Sequence, residues 1–151
     1  MTDSAVDFSV IIPAYNEAGT IATVLERLTA HLTTMGKVCE VLVVSDGATD
    51  TTADEVRAVG GTVRLIELPY NIGNGAAVKT GIRHARGAVV VFMDADGQHA
   101  PEDLERLLAD CDRYDMVVGA RGPESHAGWH RRLANGIYDF LASYVTGQQV
   151  E

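Results

Sequence analysis

Short apolar runs alternate with amphipathic stretches along this chain, and their spacing predicts strands alternating with helices. Phe8-Ser9-Val10-Ile11-Ile12 reads as a first strand, stopped by Pro13. Ile21, Val24, Leu25, Leu28 and Leu32 then fall on one stripe at helical spacing, predicting a helix from Ala18 to Thr34. Glu40 to Val44 is a second buried strand, and a helix beginning at Thr49 or Asp50 runs to Val59, where Gly60-Gly61 stops it. Thr62 to Leu68 makes a third strand. The small residues Ala76, Ala77, Gly81 and Ala85 predict a helix over 74–85 that packs close to a sheet. Val89 to Met93 is continuously apolar, which predicts a strand buried on both faces. Pro101 opens a helix carrying Leu104, Leu107, Leu108 and Cys111. A short fifth strand over Asp115 to Gly119 follows, and Trp129 to Tyr144 forms an amphipathic helix carrying Leu133, Ile137 and Leu141.

Strands separated by helices of this length imply βαβ units, hence an α/β fold with a mostly parallel sheet and helices on both faces. Geometry then fixes the functional end. Pro13 to Glu17, Ser45 to Asp50, Leu68 to Gly75 and Asp94 to His99 each follow a strand, so they converge on one sheet edge, where open α/β sheets hold ligands. The fourth of these stretches carries the sharpest chemistry. Asp94 and Asp96, one residue apart on a turn, suit a hard divalent cation sharing its other positions with phosphate oxygens and water, although solvated turn formers have the same residues.

The turn after the first strand excludes two common phosphate sites. It has neither the G-x-G-x-x-G of a dinucleotide fold nor the lysine-bearing P-loop. Tyr15 can instead stack on a base, and Glu17 can accept hydrogen bonds from a ribose or base. Asn16 reads as turn chemistry, Asp46 can meet a base edge, and Asp50 caps or supports the next helix. A diphosphate held here would need neutralising elsewhere, at Asp94 and Asp96.

Bulk properties narrow this further. A length of 151 residues fits one domain with a sizeable core. The net charge of −9 argues against a broad nucleic-acid or anionic-membrane face, but not against a nucleotide held locally with a metal ion. Cys39 and Cys111 lack ligand or framework spacing and are expected as buried free thiols in a reducing compartment. Thr2 to Asp7 is short and acidic, unlike a secretory leader, so a cytoplasmic location is expected.

Four stretches taken together carry a family resemblance: Pro13-Ala14-Tyr15-Asn16-Glu17, Ser45-Asp46-Gly47-Ala48-Thr49-Asp50, Asn71-Ile72-Gly73-Asn74-Gly75-Ala76-Ala77, and Asp94-Ala95-Asp96-Gly97-Gln98-His99. In order and spacing they resemble family 2 glycosyltransferases, closest to the dolichyl- or polyprenyl-phosphate mannosyl- and glucosyltransferase branch. The resemblance runs from Phe8 to Tyr144. It implies a three-layer, Rossmann-like GT-A fold, a nucleotide-diphosphate sugar donor of the GDP-mannose or UDP-glucose type, and a Mg²⁺ or Mn²⁺ ion. By position, Pro13, Ala14, Tyr15 and Glu17 would hold the nucleoside, Asp46 would contact the base with Val44 beside it, and Asn71 and Gly75 would flank the donor. Asp94, Ala95 and Asp96 would meet ribose and diphosphate. Asp94, Asp96 and Gln98 are the implied metal ligands, with Asp94 and Asp96 the catalytic pair. Arg121 resembles the arginine of the family's Gly-Ser-Arg and would face a donor or acceptor phosphate. Arg131 and Arg132 lie where an acceptor-phosphate arginine is often found, or at an ordinary helix start.

The implied enzyme is a metal-dependent inverting hexosyltransferase acting on a polyprenyl phosphate or related acceptor, peripherally at a membrane. A phosphate acceptor needs no general base, which agrees with His99 reading as a supporting residue. Three departures stand out. Ser45 replaces the first acid of the family's usual pair, Asn74 stands where Lys or Arg is common, and the sequence stops at Gln149-Val150-Glu151, about where an Asp-x-x-Ser-Gly-Phe-Arg segment and acceptor-side helices would begin. A catalytic-domain fragment or an unusually short member is therefore expected, with a final helix that exposes Leu133, Ile137 and Leu141 and favours a homodimer or weak solubility. A nucleotide-sugar-binding module without turnover is the alternative. A sugar-phosphate nucleotidyltransferase is disfavoured, because Pro13 to Glu17 lacks its Gly-rich basic loop.

Overall fold

Strand β1 (Phe8–Ala14) runs up the middle of the sheet, paired in parallel with β2 (Cys39–Ser45) on one side and β4 (Val89–Phe92) on the other. β3 (Val63–Glu67) extends the sheet beyond β2, also in parallel, for an order of β3-β2-β1-β4. This computed structural model describes residues 5–119, and the sheet and its helices belong to the compact unit Met1–Val117. The expected helix over 129–144, with Arg121, Arg131 and Arg132, lies outside the described residues.

Side-chain alternation along β1 and β2 builds two cores. Phe8, Val10 and Ile12 with Val41 and Val43 face one way, onto α1 (Ile21–Thr34), α2 (Thr52–Val59) and α4 (Asp103–Leu108). Ile11, Leu42 and Val44 face the other way, onto α3 (Asn74–His84) through Ala77. The five residues expected on the α1 stripe are its buried face. On α3 the close packing expected from small residues is present, since a Cβ built at Gly81 would stand 2.4 Å from Ile11 Cγ2. Replacing Gly81 with valine is expected to cost about 2 kcal/mol through overpacking. That loss would appear as a lowered urea midpoint with unchanged slope.

Several boundaries differ from expectation, each for a physical reason. α1 begins at Ile21 rather than Ala18, because Gly19 takes a left-handed backbone (φ 82°) that a helix cannot continue through, while the N–H groups of Glu17, Ala18 and Gly19 are donated to Thr52, Asp50 and Glu55. α2 begins at Thr52, with the Thr49 N–H donated to Asn16 Oδ1 and Asp50 accepting the Thr52 N–H at the helix start. β4 is not buried on both faces. Among the described strands it pairs only with β1, so it is an edge of the described sheet, with Val89 to Val91 half-buried and Phe92 50% exposed. Asp115–Gly119 forms no strand: its apolar core is three residues long, none of the four described strands pairs with it, and Met116 is 79% exposed. Both cysteines are free but only partly buried, Cys39 at the first position of β2 and Cys111 in the turns after α4. Burial, and then the charge of Asp7, push the Cys39 thiol above its ordinary range, which disfavours the reactive thiolate. No helix among the described residues is long and apolar enough to cross a membrane.

Candidate functional site

The chain turns outward from β1 through β2 to β3 and then crosses back to β4 on the far side of β1. That reversal leaves a crevice between the carboxyl ends of β1 and β4. Pro13 helps to open it. Met93 N–H reaches Ile11 O on the β4 side, while Asp46 N–H reaches Ala14 O on the β2 side. Alternation therefore turns the missing N–H of Pro13 toward β4, beyond Ile11↔Phe92, the last pair of that ladder. Nothing is lost, and the two strands part.

A cleft of about 350 Å³ occupies this position. Its walls bring together Pro13, Ala14, Tyr15, Glu17, Asp46, Asn71, Asp94, Ala95 and Asp96 from the four strand-end segments, with Gly73, Asn74 and Ala77 completing them. Val44, expected beside a base, has its side chain fully buried in the core against α3 and is not among the residues that line the cleft. Gly75, the second residue of α3, and Gln98 are exposed but do not line the cleft either. Arg121 lies outside the described residues.

The β1 and β2 turns are locked together by side chains. Asn16 takes a left-handed conformation (φ 55°), which asparagine tolerates better than most residues, and its Oδ1 accepts the Thr49 N–H at 2.8 Å. Thr52 Oγ1 accepts the Glu17 N–H at 2.8 Å, and Asp50 Oδ2 accepts the Ala18 N–H at 3.1 Å. The Asp50 carboxyl is held below its ordinary range, chiefly by the Thr52 hydroxyl and despite some desolvation. Tyr15 is left 45% exposed at the rim, free to lie against a flat ligand.

At the β4 end, alternation does the selecting. Met93 and Ala95 are buried in the main core, which turns Asp94 and Asp96 out into the cleft. Gly97 (φ +74°) continues the turn, and Asp96 Oδ1 accepts the Gln98 N–H at 2.9 Å. His99 Nδ1 accepts the Asp94 N–H at 3.1 Å, which in the neutral ring puts the proton on Nε2, 3.6 Å from Asp94 Oδ2. Thus His99 holds the backbone of Asp94 and stands beside its carboxylate.

The described cleft walls carry four carboxylates and no lysine, arginine or histidine. Among the described residues no group of three or more His, Cys, Asp or Glu gathers to cage a metal. Two oxygen donors on one turn with open positions beside them fit a hard divalent ion that completes its shell from phosphate and water. Asp46 behaves differently from the other three acids. Only 3% exposed, it accepts the Ile72 N–H at 2.9 Å and the Gly73 N–H at 2.8 Å. Nothing in the sequence pattern signalled those two bonds.

Comparison with known proteins agrees with this geometry. The model of glycosyl transferase family 2 matches residues 9–150. The undecaprenyl-phosphate 4-deoxy-4-formamido-L-arabinose transferase of Edwardsiella ictaluri (strain 93-146) is 34% identical over 146 residues, 94% of this chain and 45% of that one. The chain thus spans about half the length of the curated relatives it matches. Among solved structures, S. aureus TarS in complex with UDP-GlcNAc superposes with a TM-score of 0.62 at 27% identity, over 80% of this chain and 38% of that one. Glucosyl-3-phosphoglycerate synthase from Mycobacterium tuberculosis, in complex with Mn²⁺, UDP and glucosyl-3-phosphoglycerate, gives 0.60 at 26%, over 70% and 39%. The parallel sheet and its helices are the GT-A fold expected from the sequence.

Proposed function

We propose a function from one premise: the chain belongs to glycosyl transferase family 2. It binds a nucleoside-diphosphate sugar in the cleft between β1 and β4 and transfers the sugar to a polyprenyl phosphate. One observation carries this reading. Four separate strand-end segments bring an exposed aromatic rim, a polar loop and an outward-facing Asp-Ala-Asp turn to a single cleft. A module that only stored nucleotide sugar has no feature of its own in its favour. The polyprenyl-phosphate acceptor is supported by the activity named for the Edwardsiella relative.

In this reading Tyr15 lies against the base, Glu17 and Asn71 meet the nucleoside, and Asp94 and Asp96 face the diphosphate. Asp94, Asp96 and Gln98 would hold a Mg²⁺ or Mn²⁺ ion, which supplies positive charge to the departing diphosphate when bound. A phosphate oxygen of the acceptor forms a bond to the anomeric carbon as the bond to the nucleoside diphosphate breaks, inverting that carbon. The electron pair leaves with the diphosphate. The attacking oxygen carries no proton, so none of the lining carboxylates has to act as a base. His99 holds Asp94 in place throughout.

The test is direct. Thermal melts with GDP- and UDP-sugars, each with and without Mn²⁺ or Mg²⁺, are expected to show stabilisation that requires the metal. A ligand at about a hundred times its Kd adds about 2.7 kcal/mol, worth roughly 5 °C or more in a domain of this size. EDTA should abolish the shift. Transfer of radiolabelled sugar to undecaprenyl phosphate in detergent then tests turnover. A chain that no nucleotide sugar stabilises with either ion would end this reading.

A further inference from the structure

Asp46 occupies the position at which a base-reading acid is expected, yet both of its oxygens are already engaged. Oδ1 accepts the Ile72 N–H and Oδ2 the Gly73 N–H, with the side chain almost wholly buried. Gly73 is the residue preceding α3, and that helix has no side-chain cap of its own. A second, steric observation concerns the next residue. Gly47 has φ +65°, and a Cβ there would stand 2.2 Å from Tyr70 C and 2.4 Å from Asn71 N. The β2 turn and the β3–α3 loop are therefore in backbone contact, a fit open only to glycine. A third tie runs from the Leu68 N–H to Ser45 O at 2.9 Å. Together these fix the wall that presents Asn71 and Asn74 to the cleft.

We infer that Asp46 is a positioning residue that clamps the β3–α3 loop as the cleft wall, rather than the group that discriminates between bases. This rests on the nucleotide-sugar reading of the cleft but makes a claim about the empty protein as well. A carboxylate accepting two short backbone bonds is charge-assisted and directional. It is better suited to hold a loop than to choose between a uracil edge and a guanine edge. Discrimination then falls to residues carried on the wall itself.

Two measurements on the full chain separate the possibilities. The first is amide hydrogen exchange without nucleotide, comparing parent, Asp46→Asn and Asp46→Ala. Protection over residues 70–77 is expected to fall stepwise, since Asn keeps one acceptor oxygen and Ala none, while the central amides of β1 and β2 stay protected. The second is calorimetric titration of UDP and GDP with Mn²⁺. Asp46→Asn should weaken both by a similar factor of about ten, leaving their ratio unchanged. Gly47→Ala, which keeps the carboxylate but pushes on the Tyr70–Asn71 peptide, should reproduce the same exchange pattern and keep the test alive if Asp46→Ala does not fold. A changed UDP-to-GDP ratio in Asp46→Asn with unaltered exchange at 70–77 would overturn the inference. A parent that binds neither nucleotide would instead fail the glycosyltransferase reading, and the exchange data would still decide whether Asp46 is the clamp.

Discussion

Asp96→Ala is expected to lower sugar transfer about a thousandfold while shifting the thermal midpoint by no more than a few degrees. The asymmetry follows from where the side chain sits. Asp96 is exposed, lines the cleft, and contributes one local bond to the fold, accepting the Gln98 N–H. Losing that bond costs about 1 kcal/mol. Its functional loss is larger because the cleft's described walls hold four carboxylates and no basic side chain. Without a metal ligand pair, the charge that develops on a departing diphosphate meets only negative neighbours. Removing one preorganised electrostatic partner of a transition state typically costs a factor of about 10² to 10³, and the upper value is expected here because nothing cationic stands in reserve among those residues. Asp94→Ala should behave similarly, with somewhat greater loss of local order, since His99 would lose its carboxylate partner. Mn²⁺ affinity in the presence of UDP should weaken in parallel with activity. Full transfer activity in Asp96→Ala would remove the acidic turn from the mechanism.

The legibility of this site in the sequence has a physical basis. Elements whose identity rests on periodicity were readable: the apolar stripe of α1, the buried runs of β1 and β2, and the small-residue face of α3 all occupy the expected places. Strand ends are where the chain must turn, so polar residues there could be assigned to one sheet edge from the sequence alone. Features that depend on lateral neighbours could not be read. An apolar run such as Val89–Phe92 looks alike in a central and an edge strand, and only the sheet order reveals that β4 has one described partner. Val44 and Asp46, two residues apart, lie on the same face of the strand, yet Val44 packs into the core against α3 and Asp46 at the strand's end reaches the cleft wall. The two bonds made by Asp46 span 26 and 27 residues, a separation at which no local pattern announces a partner. The same holds for the side chains that accept the N–H groups just before α1, contributed by the turn and helix after β2.

Glu40→Gln is expected to produce the largest stability loss, about 3 kcal/mol at pH 7, at the sheet end opposite the cleft. Glu40 Oε1 accepts the Ser9 hydroxyl at 2.8 Å and the Arg86 N–H at 2.7 Å, and Oε2 accepts Arg64 Nη1 at 2.7 Å. Ser9 in turn accepts the Gly87 N–H at 2.9 Å. One carboxylate thus joins β1, β2, β3 and the connection from α3 to β4. With the residue only 7% exposed, the amide keeps one oxygen for Ser9 and Arg86 but turns a donor against Arg64 and removes the charge from all three bonds, and hydrogen bonds to a charged group are worth about 1.5 to 3 kcal/mol. Against a total stability of about 5 to 15 kcal/mol this is a large fraction. Burial alone would raise the carboxyl's pKa, but the bonds from Ser9, Arg86 and Arg64 outweigh it and hold the group below its ordinary range. A lowered folded-state pKa contributes stability above the unfolded value of about 4.3, and that contribution is lost as pH falls through the folded value. Urea midpoints of the two proteins should therefore differ most between pH 5 and 7 and draw together as pH falls below the unfolded value of about 4.3 and through the lower folded one, where the parent's Glu40 takes up its own proton. A gap that stays constant from pH 6 to pH 3 would mean that the ionised carboxylate is not what binds the sheet together at this end.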